Sequence, residues 1–440
     1  MVQRDERGSR SPEDRTFEHV TLPKTLYETP HRGRPMIRLP SEGARHSLPG
    51  KKGTFHTPTV LLVSLAHMVH DTYPAFLAPL LPLLQAKLGL SYLMAGGLAA
   101  FLRSSFLVQP LIGFWADRHN LRACVIMAPA ATALFMSALG LAQSYTILVL
   151  LLVCAGLSHA AFHAPAPALM MHVSGPYPGR GMSFFMTGGE FGRALGPVLI
   201  GGVVSVVGLS WSMLAAVPGL LITPLLARLL RTAQGEILQP KAMPLGKIMG
   251  ARLGLLMRLL LLMAIRCFMI GSVTIFLPGL LTSRGAALFA AAGALTLFEL
   301  AGAGGALAAG TWSDRVGIRR VLLLAHIAIP PCLLAMTWSH GWTTALLLIP
   351  AGIVILSTGP VLLTLSQQVL PEARGTAGGL YFGINQLLTG LSSLGFGALI
   401  DAIGIQAAFV AASLVPLLGL PLLPGLPAPT LDKDGSGLHA

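Results

Sequence analysis

Twelve long apolar stretches dominate this sequence and limit the folds that are open to it. Each has roughly 17 to 28 residues, enough for an α-helix to cross about 30 Å of hydrocarbon. Hydrophobic residues make up 53% of the 440 residues and charged residues only 11%, whereas a single soluble core stops growing near about 250–300 residues. We therefore predict an all-α membrane protein with twelve transmembrane helices, at 58–85, 91–115, 122–142, 146–171, 180–207, 211–231, 252–281, 286–310, 320–338, 342–370, 375–400 and 404–424.

The basic residues are distributed unevenly between the two sides of these spans. A formal net charge of +13 would suggest nucleic-acid binding in a soluble protein, but here most Lys and Arg lie in residues 1–57 or in loops on the same side. The opposite side carries only Lys87 and Arg284. The positive-inside rule therefore predicts that both termini are cytoplasmic in a multi-pass protein of the cell (inner) membrane. No nucleic-acid partner is expected.

Two loops of similar sequence indicate an internal repeat. GFWADRHNLR, from Gly113 to Arg122, and GTWSDRVGIR, from Gly310 to Arg319, share Gly, Trp, Asp and two Arg at an offset of 197 residues. The repeat predicts two six-helix halves, a geometry typical of transporters. The predicted boundaries are a disordered cytoplasmic tail at 1–57, halves at 58–231 and 252–424, a cytoplasmic linker at 232–251 and a second cytoplasmic tail at 425–440.

The repeated loops resemble the signature of the major facilitator superfamily, G-x-x-x-D-R/K-x-G-R-K/R, which follows helices 2 and 8. The resemblance implies the major facilitator fold. It also implies a latch on the cytoplasmic face, in which Gly allows two helices to approach closely while Asp caps a helix and pairs with Arg. His119-Asn120 stands where the family favours x-Gly, so the first turn is expected to be less tight. The predicted latch residues are Gly113, Asp117, Arg118, Arg122, Gly310, Asp314, Arg315 and Arg319.

The first half is similar to the fosmidomycin-resistance type of exporter. The similar stretches are SLAHMVHDTYPAFLAPLLPLL in span 1, Gln109-Pro110, Ala161-Phe162-His163 and GGEFGRALGP in span 5. The chain departs from that family after His163, where Ala164-Pro165-Ala166 replaces Pro-Glu and a carboxylate is missing. Gly188, Gly192, Gly196 and Pro197 resemble part of the superfamily's antiporter motif, which favours export over uptake.

Histidines and one aspartate lie near the middle of spans 1 and 4. His67, His70 and Asp71 are spaced i, i+3, i+4, and His159 and His163 are spaced i, i+4, so each set occupies one helix face. Ionisable groups at this depth are costly and usually line a cavity. Three uses stay open: proton relay or substrate contact, a transition-metal site, and hydrogen bonding between helices.

Other mid-span charges offer further candidates. Glu190 and Arg193 in span 5 are spaced to neutralise one another, and Glu299 in span 8 could instead pair with Arg193 across the halves as a gate. Arg103 and Arg266 could hold an anionic group or pair with Asp71 or Glu299. Polar residues that would line the second half, or bridge its helices, are Gln367, Gln368, Asn385 and Gln386.

The leading functional prediction is a secondary active transporter. The sequence contains no G-x-x-x-x-G-K-S/T loop, so ATP is not expected to drive it. We predict proton-coupled export of a small anionic or drug-like compound by a monomer, with no enzymatic activity, cofactor or resident metal. The partners are then the substrate, the proton and the lipid bilayer. The alternatives are a divalent transition-metal carrier that uses the His and Asp cluster of spans 1 and 4, and a non-transporting membrane sensor on the same scaffold.

Overall fold

A computed structural model describes residues 55–109, 111–112, 122–230, 253–370 and 374–426. The linker 232–251 and nearly all of both predicted tails lie outside these residues. The described chain forms α-helices with short 3-10 segments between them: α1 Thr57–Thr72, α2 Leu77–Leu88, α3 Tyr92–Ser104, α4 Arg122–Ser137, α5 Tyr145–His163, α6 Ala166–Val173, α7 Pro178–Val207, α8 Val217–Leu229, α9 Leu253–Ser283, α10 Leu288–Val316, α11 Ile318–Trp338, α12 Trp342–Val369, α13 Arg374–Ile403 and α14 Ile405–Leu414.

These helices follow the twelve predicted spans closely. Within the described residues, eleven helical segments are long and apolar enough to cross a membrane. The remaining predicted span, 91–115, begins as α3 and continues through a 3-10 turn at Ser105–Leu107, and part of its end lies outside the described residues. The predicted all-α architecture of two six-helix halves is confirmed.

Proline interrupts the first and fourth spans close to their ionisable residues. After α1, a 3-10 turn begins at Pro74 and leads into α2. α5 ends at His163, two residues before Pro165. Proline lacks a backbone N–H and its ring clashes with the preceding helical turn, so it breaks or kinks a helix. The breaks place Asp71 and His163 beside the ends of their helices, at the middle of the spans.

The two halves repeat the same helix pairings. α1 packs against α7 as α9 packs against α13, and α3 packs against α5 as α10 packs against α12. Large apolar side chains on the outer surface, among them Leu107, Val206 and Leu307, are more than two-thirds exposed. Such a surface suits lipid, because soluble monomers rarely expose extended apolar patches.

Three glycines bring the backbone of α7 directly against α1. A Cβ atom at Gly188, Gly192 or Gly196 would lie 2.4, 2.1 or 2.3 Å from the carbonyl oxygens of Ser64, Met68 and Thr72. Small residues at every fourth position allow this close approach between membrane helices. The contact positions the charged residues of α7 beside those of α1.

The main contacts between the halves are those of α3 with α13, α7 with α10 and α2 with α9. At the end predicted to be extracytoplasmic, the Asp401 carboxylate of α13 accepts hydrogen bonds from the backbone N–H groups of Tyr92 at 2.9 Å and Leu93 at 2.7 Å. Ser91 caps the same helix end by accepting from Met94 N–H at 3.2 Å. Asp401 therefore satisfies the free donors of an α3 first turn that belongs to the other half.

We expect Asp401→Asn to shift the protein away from the state closed at this end. Removal of a helix cap costs about 1 kcal/mol, which corresponds to roughly a fivefold change in the ratio of the two states. Distances between spin labels at Gln143 and His340, in a background without native cysteines, measure the shift. Ser91→Ala is the matched control, because it weakens the same helix end without breaking a bond between the halves. Equal effects of both variants would contradict the prediction.

Candidate functional site

Asp71 is the centre of a cluster of charged and aromatic side chains at mid-span. The residue is 3% exposed. One carboxylate oxygen, Oδ1, accepts a hydrogen bond from His163 Nε2 at 2.9 Å and lies 4.0 Å from His159 Nδ1. The other, Oδ2, lies 3.3 Å from His67 Nε2. The structure thus brings α1 and α5 together through the residues that the sequence singled out.

His70 occupies the same cluster but lacks hydrogen bonds. Its ring is fully buried and stacks on the ring of His159, with centroids 5.1 Å apart and planes 9° apart, and on Phe162 at 4.4 Å. Neither of its ring nitrogens has a hydrogen-bond partner in the described structure. His67, by contrast, is fixed by a 2.7 Å hydrogen bond between its Nδ1 and the Phe185 carbonyl oxygen.

Arg193 of α7 connects this cluster with a second carboxylate. Its Nη1 donates to Asp71 Oδ2 at 3.4 Å, and its Nη2 forms an ion pair with Glu190. The pair Glu190–Arg193 is the one suggested by the sequence spacing, and the structure adds Asp71 to it. The side chain of Arg193 is 43% exposed while that of Asp71 is 4% exposed, so the network extends from a buried carboxylate to an accessible cation.

The second half places its own charged residues in reach of this network. Glu299 of α10 interacts electrostatically with Arg193, Glu190, Arg103 and Arg266. In the described residues it forms no ion pair within 4 Å, so the direct pair with Arg193 that the sequence allowed is absent. Arg103 Nη1 donates to Gln386 Oε1 at 2.6 Å, which joins α3 of the first half to α13 of the second.

Arg266 lies against the backbone of α12. Its Nη2 is 2.6 Å from the position that a Cβ of Gly359 would occupy, so a larger residue there would displace the guanidinium group. Its Nε is buried and has no hydrogen-bond partner among the described residues. Arg266 and His326 line a small pocket between α9, α11 and α12. Sequence reasoning missed His326, although a histidine inside an apolar stretch was a visible signal.

The remaining candidates lie apart from the central network. Of the first signature loop, Gly113, Asp117 and Arg118 fall outside the described residues, and Arg122 begins α4. In the second loop, Asp314, Arg315 and Arg319 are exposed at the junction of α10 and α11. The latch stays a prediction. Asn385 contacts the Cys267 thiol at 3.4 Å, while Gln367 and Gln368 lie near the end of α12.

The chain consists of two halves with the same helix pairings, and oppositely charged side chains from both halves lie at mid-span. Together these features define a multi-pass membrane transporter. The model of the Major Facilitator Superfamily matches residues 63–393 and again 259–437, and the chain belongs to this family of secondary transporters. Its members are not enzymes, which confirms that expectation. The resemblance noted in the signature loops is therefore confirmed.

Two curated proteins are similar over most of their length. The fosmidomycin resistance protein of Escherichia coli (strain K12) is 25% identical over 368 residues, covering 81% of this chain and 90% of that protein. The uncharacterized MFS-type transporter YfnC of Bacillus subtilis (strain 168) is 24% identical over 382 residues, covering 84% and 93%.

Solved structures share the fold at low identity. A bacterial homolog of the human lysosomal transporter Spinster, crystallised in an inward-facing and unoccupied conformation, matches with a TM-score of 0.71 and 17% identity over 84% of this chain and 96% of that chain. A D-xylose-proton symporter matches with a TM-score of 0.68 and 14% identity over 85% and 98%. These likenesses show the fold alone.

Proposed function

We propose that the chain exports a small solute across the cell membrane in exchange for protons, working as a monomer by alternating access. The observation that carries the proposal is that α7, which carries Arg193, packs against α10, which carries Glu299, and that Glu299 interacts electrostatically with Arg193, Arg103 and Arg266. These groups come from α3, α7, α9 and α10, so both halves contribute to one mid-span site. Rocking of the halves about such a site is how transporters of this architecture alternate access.

The charges favour a solute with two kinds of polar group. The arginines suit an acidic group, since guanidinium groups bind carboxylate or phosphate oxygens through paired hydrogen bonds. Glu299 suits a hydrogen-bond donor or a cationic group on the same molecule. The similarity to a fosmidomycin resistance protein supports export, because removal of a compound from the cell is one route to resistance.

Exchange, rather than cotransport, requires that the solute and the proton exclude one another. An anion held by arginines alone would favour protonation of the nearby Glu299, and the two would then travel in the same direction. A cationic or donor group bound to ionised Glu299 reverses this relation, because protonation of Glu299 removes the negative charge that holds this group and weakens its binding. Export of an anionic solute is also helped by an inside-negative membrane potential, by about 2.3 kcal/mol per charge at about 100 mV.

We expect Glu299→Gln to abolish the response of transport to a pH gradient. The glutamine keeps the size of the side chain and can bind a solute donor, but it cannot exchange a proton. Proteoliposomes supplied with labelled fosmidomycin measure this. A gradient of about one pH unit should drive up to about tenfold accumulation by the wild-type protein in one-for-one exchange, and none by the variant.

A conservative variant makes this experiment specific. Glu299→Asp keeps an exchangeable carboxyl group on the same helix and should retain part of the pH response. Wild-type transport that ignores the pH gradient would contradict proton exchange. A full pH response in Glu299→Gln would contradict the role of Glu299.

A further inference from the structure

We propose that His70, Asp71, His159 and His163 form a binding site for one divalent transition-metal ion of the zinc type. The proposal goes beyond the transport function above, since it assigns a resident ion to the wall of the first half. It also differs from the sequence-based expectation that the chain holds no metal.

The ligand atoms have the spacing and chemistry that such an ion requires. One nitrogen from each of the three histidines and one carboxylate oxygen of Asp71 all lie within 4.8 Å of one another. Tetrahedral zinc with bonds of about 2.0–2.1 Å places its ligand atoms about 3.3 Å apart. The separations of 2.9 Å from Asp71 Oδ1 to His163 Nε2 and 4.0 Å to His159 Nδ1 lie on either side of that value.

Unpartnered nitrogens in the cluster supply the second, independent observation. His70 is fully buried, yet neither of its ring nitrogens has a hydrogen-bond partner among the described residues, and the buried His159 Nδ1 and His67 Nε2 also lack one there. A buried polar atom without a partner is uncommon and calls for an explanation, such as a bound ion. Coordination by a metal would satisfy a nitrogen of His70 and one of His159 without a change of helix packing.

The surroundings of the cluster would orient the ligands. Arg193 lies 3.4 Å from Asp71 Oδ2 and His67 Nε2 lies 3.3 Å from the same oxygen, which leaves Oδ1 directed at His159 and His163. A hydrogen bond to the outer oxygen of a ligating carboxylate, such as the one that Arg193 donates here, is typical of metal sites and holds the ligand in place. The side chains of His159 and His163 are 25% and 22% exposed, so an ion can enter from their side.

The origin of the ligands favours a resident ion over a transported one. All four come from α1 and α5, which belong to the same half, so rocking of the halves leaves their geometry unchanged. A transported ion needs a site whose affinity changes between the two states, as happens at an interface between halves. The bound ion would add fixed positive charge beside Arg193, on the wall that faces Glu299.

Calorimetric titration of the full-length protein with ZnCl2, after EDTA treatment and purification through a tag without histidine, tests the proposal. We expect about one ion per chain. His70→Ala and His163→Ala should each weaken binding by more than about tenfold, since even residues that only support metal ligands contribute about 10- to 100-fold. His172→Ala and His340→Ala are matched controls, because both histidines are exposed and lie outside the cluster.

X-ray absorption of the zinc-loaded protein distinguishes this site from incidental binding elsewhere. Multiple scattering from about three imidazole rings supports the proposal. Titrations of His70→Ala and His163→Ala that match the wild type, or a spectrum without imidazole scattering, would overturn it. Zinc flux into proteoliposomes that contain an internal indicator would identify the ion as cargo and overturn its resident role. If zinc binding is absent while pH-driven solute transport persists, only the metal proposal fails.

Discussion

Arg193→Leu should lower the free energy of unfolding by about 2 kcal/mol and abolish transport. Removing one partner of an ion pair costs about 3–5 kcal/mol when the pair is buried and up to about 1 kcal/mol when it is exposed, and an intermediate value applies because Asp71 is buried while the Arg193 side chain is 43% exposed. The loss leaves the buried Asp71 without its cation and leaves Glu190 unpaired. Thermal unfolding of the purified protein, followed by intrinsic fluorescence, measures the change in stability, and proteoliposomes measure transport.

Two companion variants separate charge from side-chain shape. Arg193→Lys restores a positive charge but lacks the planar fork that reaches two carboxylates, so we expect intermediate stability and impaired transport. Asp71→Asn combined with Arg193→Leu should recover much of the lost stability, because the uncompensated charge at Asp71 is gone, but it should not recover transport. A single Arg193→Leu variant with the melting temperature and transport of the wild type would contradict the network described around Asp71.

Gly192→Val is expected to prevent correct packing of α7 on α1. The new Cβ would lie 2.1 Å from the Met68 carbonyl oxygen and 3.2 Å from the Asp71 Cβ. Because the first of these contacts is with backbone, the helices must separate, at a cost of about 3 kcal/mol or more. We expect little folded protein by size-exclusion chromatography after detergent extraction, and no transport from what remains.

Gly304→Val provides the comparison for this variant. Gly304 also lies inside a long membrane helix, α10, but a Cβ there meets nothing within 4 Å. The same change of residue type should therefore be tolerated, and the elution profile should match that of the wild type. Similar losses in both variants would show that valine in a membrane helix, rather than contact with α1, is responsible.

The sequence predicted the fold well because the features that determine it are local. A run of apolar residues has to be long enough to cross the bilayer, and this length can be counted directly in the sequence. The spacing of the histidines places each set of α1 and α5 on one helix face, and the structure shows that the two sets meet at Asp71. The fit of α7 against α1 follows from Gly188, Gly192 and Gly196, which the sequence showed as a motif.

Contacts between the halves could not be predicted in the same way. Arg103 and Gln386 are 283 positions apart, and Asp401 is more than 300 positions from the amides that it binds. No periodicity in a single sequence relates residues at such distances. The same limit applies to Arg266, whose place against Gly359 depends on the packing of two helices in three dimensions. Local patterns identified which polar residues were candidates, but not which of them meet.

The Asp401 contact depends on the identity of a side chain in only one of the two halves. On α13 it needs one particular carboxylate, whereas on α3 it needs only the amide N–H groups that every residue except proline carries. Positions 92 and 93 are therefore free to change for other reasons, such as contact with lipid or with Phe276, without loss of this closure. A proline at either position would remove one bond, while a single change at Asp401 removes both. This one contact between the halves is thus encoded almost entirely on one side.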